Sequence, residues 1–440
     1  MSPHAIGSVN RDMSRMPCVE GLGQGATLKV RNEAGTVDGA LWEGCAMSVS
    51  QEELQRTFFE RFGKEPKLLV VSPGRTEIAG NHTDHEGGHV IAAAVDRAVH
   101  AMACPNGESA IRLLSLGFGE TEVALDELAP RKEERTTTTS LVRGMAALFA
   151  EKGFSPAGFD MACASDVLDG SGLSSSAAFE LTLAQAMNAL WADGALKADE
   201  LAMMSQRCER EWFGKPCGLM DQAAVALGGI QHMDFSKPGI LAAQSIDFDF
   251  AKAGYAVCIV AVGADHSANT DDYAAVPFEM QAVARELGAE VLSQVNAYDV
   301  IGAIPVLREK LGDRAILRAL HYFQEERLVA QRAEALCAGD VQEFLCLTRL
   351  SGTSSAMYLQ NVSVGGSADQ PSMLAIALAE SLLSGQGAVR VHGGGFGGTI
   401  QAFVPLEMVE DFSAGMDAVF GEGACGVYGV DHEGARFSWL

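Results

Sequence analysis

A chain of 440 residues with 48% apolar and 20% charged side chains is long enough for two full cores and too apolar to stay disordered. Its net charge of −25, from 32 basic against 57 acidic residues with no dense basic run, argues against a nucleic-acid partner and leaves any polyanionic ligand to a few local donors or a metal. The ten cysteines include no C-x-x-C pair, no apolar run reaches the ~20 residues needed to span a bilayer, and the N-terminus lacks a signal-peptide core, so no structural zinc, no membrane and a reducing cytoplasmic setting are expected.

Residues 1–46 are polar and glycine-rich with weak periodicity, an extension of unknown role. A helix is predicted over 48–62, with Ser50 as N-cap, Glu53 at its third position, and Leu54, Phe58 and Phe62 on one face. Residues 68–71 form a short apolar strand that runs into 72–89. That segment packs Arg75, Glu77, His82, Asp84 and His85 among four glycines, more polar chemistry than a connection needs. A further strand is predicted over 90–95, and a hairpin over 98–104 and 111–116 around Pro105-Asn-Gly107. Residues 132–139 read as an exposed loop and 141–150 as a helix.

The stretch Val167-Leu-Asp-Gly-Ser-Gly-Leu-Ser-Ser-Ser-Ala-Ala178 lies between a strand pattern at 161–167 and a helical one with Phe179, Leu183, Ala186 and Leu190 on a face. Gly170 and Gly172 permit a tight bend. Ser174, Ser175 and Ser176 fall where the unpaired first-turn amides and the helix dipole favour an anion. Hydroxyls there can also hold a phosphate-bound Mg²⁺. A serine cap after a glycine turn is the simpler meaning of the same residues.

A helix carrying Glu209 is predicted over 201–213, ending at Gly214-Lys-Pro-Cys-Gly-Leu-Met-Asp-Gln222. Asp221 lies among apolar neighbours, where a carboxylate without a partner is rare, so it is a candidate base or electrostatic element as well as a helix-initiating residue. A strand at 255–262 opens the second half. Helical sequence follows to about 350, with a break expected at 302–305, and strands at 389–391 and 400–404 flank a glycine cluster. Gly393, Gly395 and Gly398 satisfy G-x-G-x-x-G, yet Thr-Ile-Gln-Ala-Phe-Val follows where a dinucleotide fold needs a helix, and no P-loop motif occurs.

Three segments, Ser72-Pro-Gly-Arg through His82-Thr-Asp-His85, Gly170 through Ala178, and Gly393-Gly-Gly-Phe-Gly-Gly398, resemble in this order the signature motifs of the GHMP small-molecule kinases, most closely the galactokinases. Pro216-Cys-Gly-Leu-Met-Asp-Gln222 is similar to the segment that carries the family's catalytic aspartate, and 266–273 to its substrate tyrosine segment. The resemblance runs from about 68 to 404. It implies an α/β (α+β) fold with mixed sheets and a cleft between two domains, here 47–250 and 251–440, in which the γ-phosphoryl of ATP passes to a sugar's anomeric hydroxyl. It further implies Asp221 and Arg75 as catalytic pair, Asn81, His82, Asp84, Gly218 and Tyr273 around the sugar, and Gly170, Ser171, Gly172, Leu173, Ser174, Ser175 and Ser176 around the nucleotide. Ser176 and Glu209 would hold Mg²⁺. Sugar and ATP are the expected partners, with no obligatory protein partner.

The family usually reads G-R-x-N-L-I-G-E-H-T-D-Y, whereas Glu77 stands here for the Asn, Asn81 for the Glu and His85 for the Tyr. A neutral amide at 81 repels a carboxylate less, which keeps a galacturonokinase-like specificity as the alternative substrate reading. Two other classes remain: a metal cluster of His82, Asp84, His85 and His89, for which no further His or Asp motif appears, and a sensor that binds sugar and ATP without turnover.

Overall fold

The computed structural model describes residues 49–167, 172–237, 239–263, 270–363, 367–396 and 398–440. The expectations for 1–46, Gly170, Ser171 and His266 therefore lie outside the described residues. The first half runs α1 (Gln51–Phe62), β1 (Leu68–Ala79), β2 (His89–Pro105), β3 (Ala110–Ser115), β4 (Gly119–Ala124), α2 (Thr138–Glu151), β5 (Phe159–Ser165), α3 (Ser175–Ala192), α4 (Ala198–Cys208), α5 (Met220–Leu227), β6 (Ile230–Asp234) and β7 (Ala242–Ile246). The second runs β8 (Tyr255–Ala261), α6 (Thr270–Glu286), α7 (Ala297–Leu311), α8 (Asp313–Cys337), α9 (Val341–Ser354), α10 (Pro371–Leu383), β9 (Ala388–Val391), β10 (Thr399–Pro405), α11 (Val409–Phe420), β11 (Cys425–Tyr428) and β12 (Arg436–Trp439).

Helix α1 starts as predicted, with Ser50 Oγ accepting from the Glu53 amide at 3.1 Å, and it buries Leu54 and Phe58. Those two side chains meet Met102 and Cys104 of β2, while the alternate residues Ala101 and Ala103 face α2 to α5, the two-residue period of a strand covered on both sides. The first sheet has the order β12-β1-β2-β5-β3-β4, with β6 against β2 and β7 against β6. All its pairs are antiparallel except β3 with β5. The second sheet, β11-β8-β10-β9, is antiparallel, and it packs α10 and α11 on one face and α8 and α9 on the other.

Three expectations change. The hairpin across Pro105 does not form, because β5 lies between β2 and β3. The carboxylate of Asp160 on β5, only 1% exposed, collects Arg112 Nε at 2.7 Å, Lys64 Nζ at 2.7 Å and Asn106 Nδ2 at 3.0 Å, so the turn that seemed to join two strands instead anchors a third between them. The break expected at 302–305 is absent: α7 carries Pro305 on its exposed side, and the helices are interrupted at Gly288 and Gly312, which adopt φ of +82° and +80°. Last, the first strand extends from Leu68 to Ala79, with register shifts after Pro73 and Glu77. The polar segment is therefore strand, and its irregularities re-aim Arg75 and Glu77. Chain order also does not equal sheet membership, since β12 returns from the C-terminus to pair with β1.

Candidate active site

The outer end of β1 meets the glycine loop edge on. The Arg75 amide donates to Leu173 O at 2.9 Å and Arg75 Nη1 to Gly172 O at 2.5 Å. From that fixed backbone the guanidinium reaches Asp221 in the first turn of α5, Nε to Oδ1 at 2.7 Å. Ser174, whose φ of +57° turns it out of the coming helix, donates its hydroxyl to Asp221 Oδ2 at 2.6 Å. Residues from three separate stretches thus meet on one carboxylate. Burial pushes the Asp221 carboxyl up, but the Arg75 charge and the hydrogen bonds from Arg75 and Ser174 more than reverse this and hold it below the ordinary carboxylate range. A third of its side chain remains open, at 34% exposure.

That opening is a cavity of ≈ 280 Å³ bordered by Arg75, Asp221, His82, Asp84, Gly218 and Tyr273, six of the residues singled out in the sequence. His82 adopts φ of +61°, and its Nε2 donates to Gly394 O at 3.0 Å. Burial, helped by His85, pushes the ring down to about 3, so it is neutral, and its Nδ1 finds no donor among the described residues although it is buried. Tyr273 lies beside it, ring centres 5.3 Å apart, and against Gly394, where a Cβ would stand 2.2 Å from Cε2. Gly218 is similarly required, since a Cβ there would stand 2.4 Å from Asp84 Oδ2.

The other expected residues divide. Asn81 is fully buried and does not border the cavity: its amide nitrogen donates to Gly393 O at 2.5 Å and its oxygen accepts from Asn361 Nδ2 at 2.7 Å. Leu173 is core. Ser175 and Ser176 open the first turn of α3, an 18-residue helix. Glu209 is 2% exposed, its two oxygens accepting from Lys215 Nζ at 3.2 Å and Gln222 Nε2 at 2.9 Å.

Comparison with known proteins places this geometry. The chain matches the galactokinase galactose-binding signature over residues 56–105 and the GHMP kinases N terminal domain over 140–229. It is 32% identical over 373 residues to the galactokinase of Streptomyces coelicolor, covering 82% of this chain and 89% of the relative. The chain belongs to the galactokinase family. A galactokinase of Glaesserella parasuis is 30% identical over 365 residues. The fold superposes on Lactococcus lactis galactokinase, solved in complex with galactose, with a TM-score of 0.74 over 88% of this chain and 99% of that one, at 23% identity. A mevalonate kinase superposes with a TM-score of 0.60 at 15% identity.

Several residues of this galactokinase-family site were missed in the sequence. Lys215 borders the cavity and pairs with Glu209. Glu180, one turn into α3 and 1% exposed, is bridged to Glu209 by the Gln222 amide; burial and the Glu209 charge push it well above the ordinary range. His392 joins the two sheets, with Nε2 3.0 Å from Thr76 Oγ1 and Nδ1 3.0 Å from Thr399 Oγ1. From α8, His321 Nε2 donates to Asn81 O at 3.0 Å, while Glu325 accepts from the Gly80 amide at 3.2 Å and pairs with Arg332. Their spacing of four and seven puts a polar stripe on one face of an otherwise core helix, and that was the signal available.

Proposed function

We propose that this sugar kinase transfers the γ-phosphoryl of ATP to the anomeric hydroxyl of galactose, giving galactose 1-phosphate and ADP. The observation that carries the reading is the junction of Arg75, Ser174 and Asp221 at the mouth of a polar cavity. The halves 47–250 and 251–440 are its two lobes, except that β12 at the end of the second completes the sheet of the first. Asp84 and the orphaned Nδ1 of neutral His82 are acceptors for sugar hydroxyls, and the Tyr273 ring packs beside them. The ionised Asp221 orients the anomeric hydroxyl and receives its proton. A carboxylate held so acidic is a weak base toward an alcohol, so the proton arrives as the new P–O bond forms, and positioning carries more of the rate than base strength. Arg75 keeps Asp221 charged and offsets negative charge at the transferring phosphoryl.

The start of α3, with Ser175 and Ser176, supplies first-turn amides and hydroxyls for the triphosphate. Mg²⁺ would be held by Ser176 and Glu209, an all-oxygen donor set suited to a hard cation, and the orphaned buried Glu180 Oε1 is a further oxygen one Gln222 amide away from Glu209. When bound, the ion would neutralise phosphate charge. No helix among the described residues is long and apolar enough to cross a membrane. A cytoplasmic setting, with sugar and ATP the partners needed, belongs to the same proposal.

ADP release measured by a coupled assay across galactose, galacturonate, N-acetylgalactosamine, glucose and arabinose tests the reading. Galactose is expected to give the largest kcat/KM. Intact ATP binding with no turnover on any sugar would instead make the protein a sensor.

A further inference from the structure

Glu77 and Asn81 carry their carboxylate and amide in the reverse of the order in G-R-x-N-L-I-G-E. The two side chains are neighbours, Asn81 Nδ2 donating to Glu77 Oε1 at 3.4 Å, but their positions are not equivalent. Glu77 borders the cavity, whereas Asn81 is shut behind it by Gly393 and Asn361. Glu77 Oε1 also accepts from Arg390 Nη2 at 2.7 Å, and Arg390 is wholly buried. Among the described residues no donor meets Oε2, which leaves that oxygen available as an acceptor on a residue that borders the cavity. The charge absent from position 81 has therefore not left the pocket; it stands four residues earlier in the chain, held by its own cation.

We propose that Glu77 is a substrate-contacting, specificity-determining residue of this chain, accepting a hydrogen bond from a hydroxyl of a neutral sugar and repelling the carboxylate of a uronic acid. The proposal rests on the galactokinase reading above. A carboxylate clamped by a buried guanidinium cannot turn away, and a hydrogen bond from a neutral hydroxyl to it is charge-assisted. A uronate would bring another carboxylate into a confined site that already holds Glu77, Asp84 and Asp221, while the cations that line it, Arg75 and Lys215, are already paired with Asp221 and Glu209. Galacturonate as preferred substrate, suggested by the amide at 81, thereby loses its physical basis.

The test compares kcat/KM for galactose and galacturonate in the wild type and in Glu77→Gln, with nucleotide binding and thermal melting as folding controls. Glu77→Gln is expected to raise the galactose KM roughly tenfold with a smaller effect on kcat, and to narrow the galactose-to-galacturonate ratio by a similar factor. If the single change leaves Arg390 unpaired and the protein unfolded, Glu77→Gln with Arg390→Met removes both buried charges and is read in the same way. A folded variant whose galactose KM and sugar ratio both stay within about twofold of wild type overturns the role of Glu77 and leaves the functional reading standing. A wild type that phosphorylates no neutral hexose overturns the functional reading, and this inference with it.

Discussion

Asp221→Asn is expected to lower kcat by roughly 10³-fold or more while nucleotide affinity stays within about threefold of wild type. The substitution keeps the shape of the side chain and an acceptor for Ser174, but it removes the charge that Arg75 Nε meets at 2.7 Å and the carboxylate that receives the anomeric proton in this reading. Because the proposed reading assigns the triphosphate to the first turn of α3 rather than to that charge, binding of ATP should survive. Rapid-quench turnover and equilibrium nucleotide binding on the same preparation separate the two effects. The pH dependence follows from the direction of the shift. With its folded value below the unfolded one, Asp221 is charged throughout the neutral range, and its contribution to stability is present above the unfolded pKa of about 3.9 and lost as pH falls through the folded value. Thus kcat should show no acid limb from this group between pH 8 and 5. Arg75→Met, which removes the largest opposing influence, should move the limb of any residual activity upward, and a pH–rate profile displays that shift. Loss of less than tenfold in Asp221→Asn would remove this carboxylate from the chemistry.

What could be read from the sequence was local. Ser50 and Glu53 mark a helix start because the cap and its donor are three residues apart, and the serines after Gly172 mark the next helix for similar reasons. The motif residues Arg75, His82, Asp84, Gly218, Asp221 and Tyr273 border one cavity, although nearly 200 positions separate the first from the last. Strand order was not legible, because the place of β5 is set by three donors converging on Asp160, two of them about 50 and one nearly 100 positions away in the chain. The exchange at 77 and 81 was equally opaque: each substitution alone suggests a change of charge, and only the contact between the two side chains reveals a transposition. Residues such as His321 and Glu325 were hidden because a buried polar stripe on a long helix resembles solvated surface until the partner strand is known.

That stripe carries the largest expected effect on stability. Glu325→Gln should cost about 3 kcal/mol or more, since breaking a buried ion pair strands the remaining charge in a low-dielectric interior. Both side chains are 0% exposed, and Arg332 also donates to Ile78 O at 3.3 Å, so the guanidinium cannot reach water without moving β1. Burial pushes the Glu325 carboxyl up, but Arg332, His321, Arg390 and the Ser351 hydroxyl outweigh it and hold it below the ordinary range. The sign is that of a depressed acid: this stability is complete above the unfolded pKa and fades as pH falls through the folded one, so the Tm difference between wild type and Glu325→Gln should shrink on acidification. Glu325→Leu with Arg332→Met removes both charges and should recover most of the lost Tm. It should not recover the sugar KM, because Glu325 Oε1 also accepts from the Gly80 amide, and with it holds the backbone that carries Asn81, His82 and Asp84 into place. Thermal melting at a fixed scan rate, run beside sugar kinetics, separates the two roles: a double variant normal in both would make the pair a packing element alone, whereas a normal Tm with a raised KM identifies α8 as the support on which the sugar segment rests.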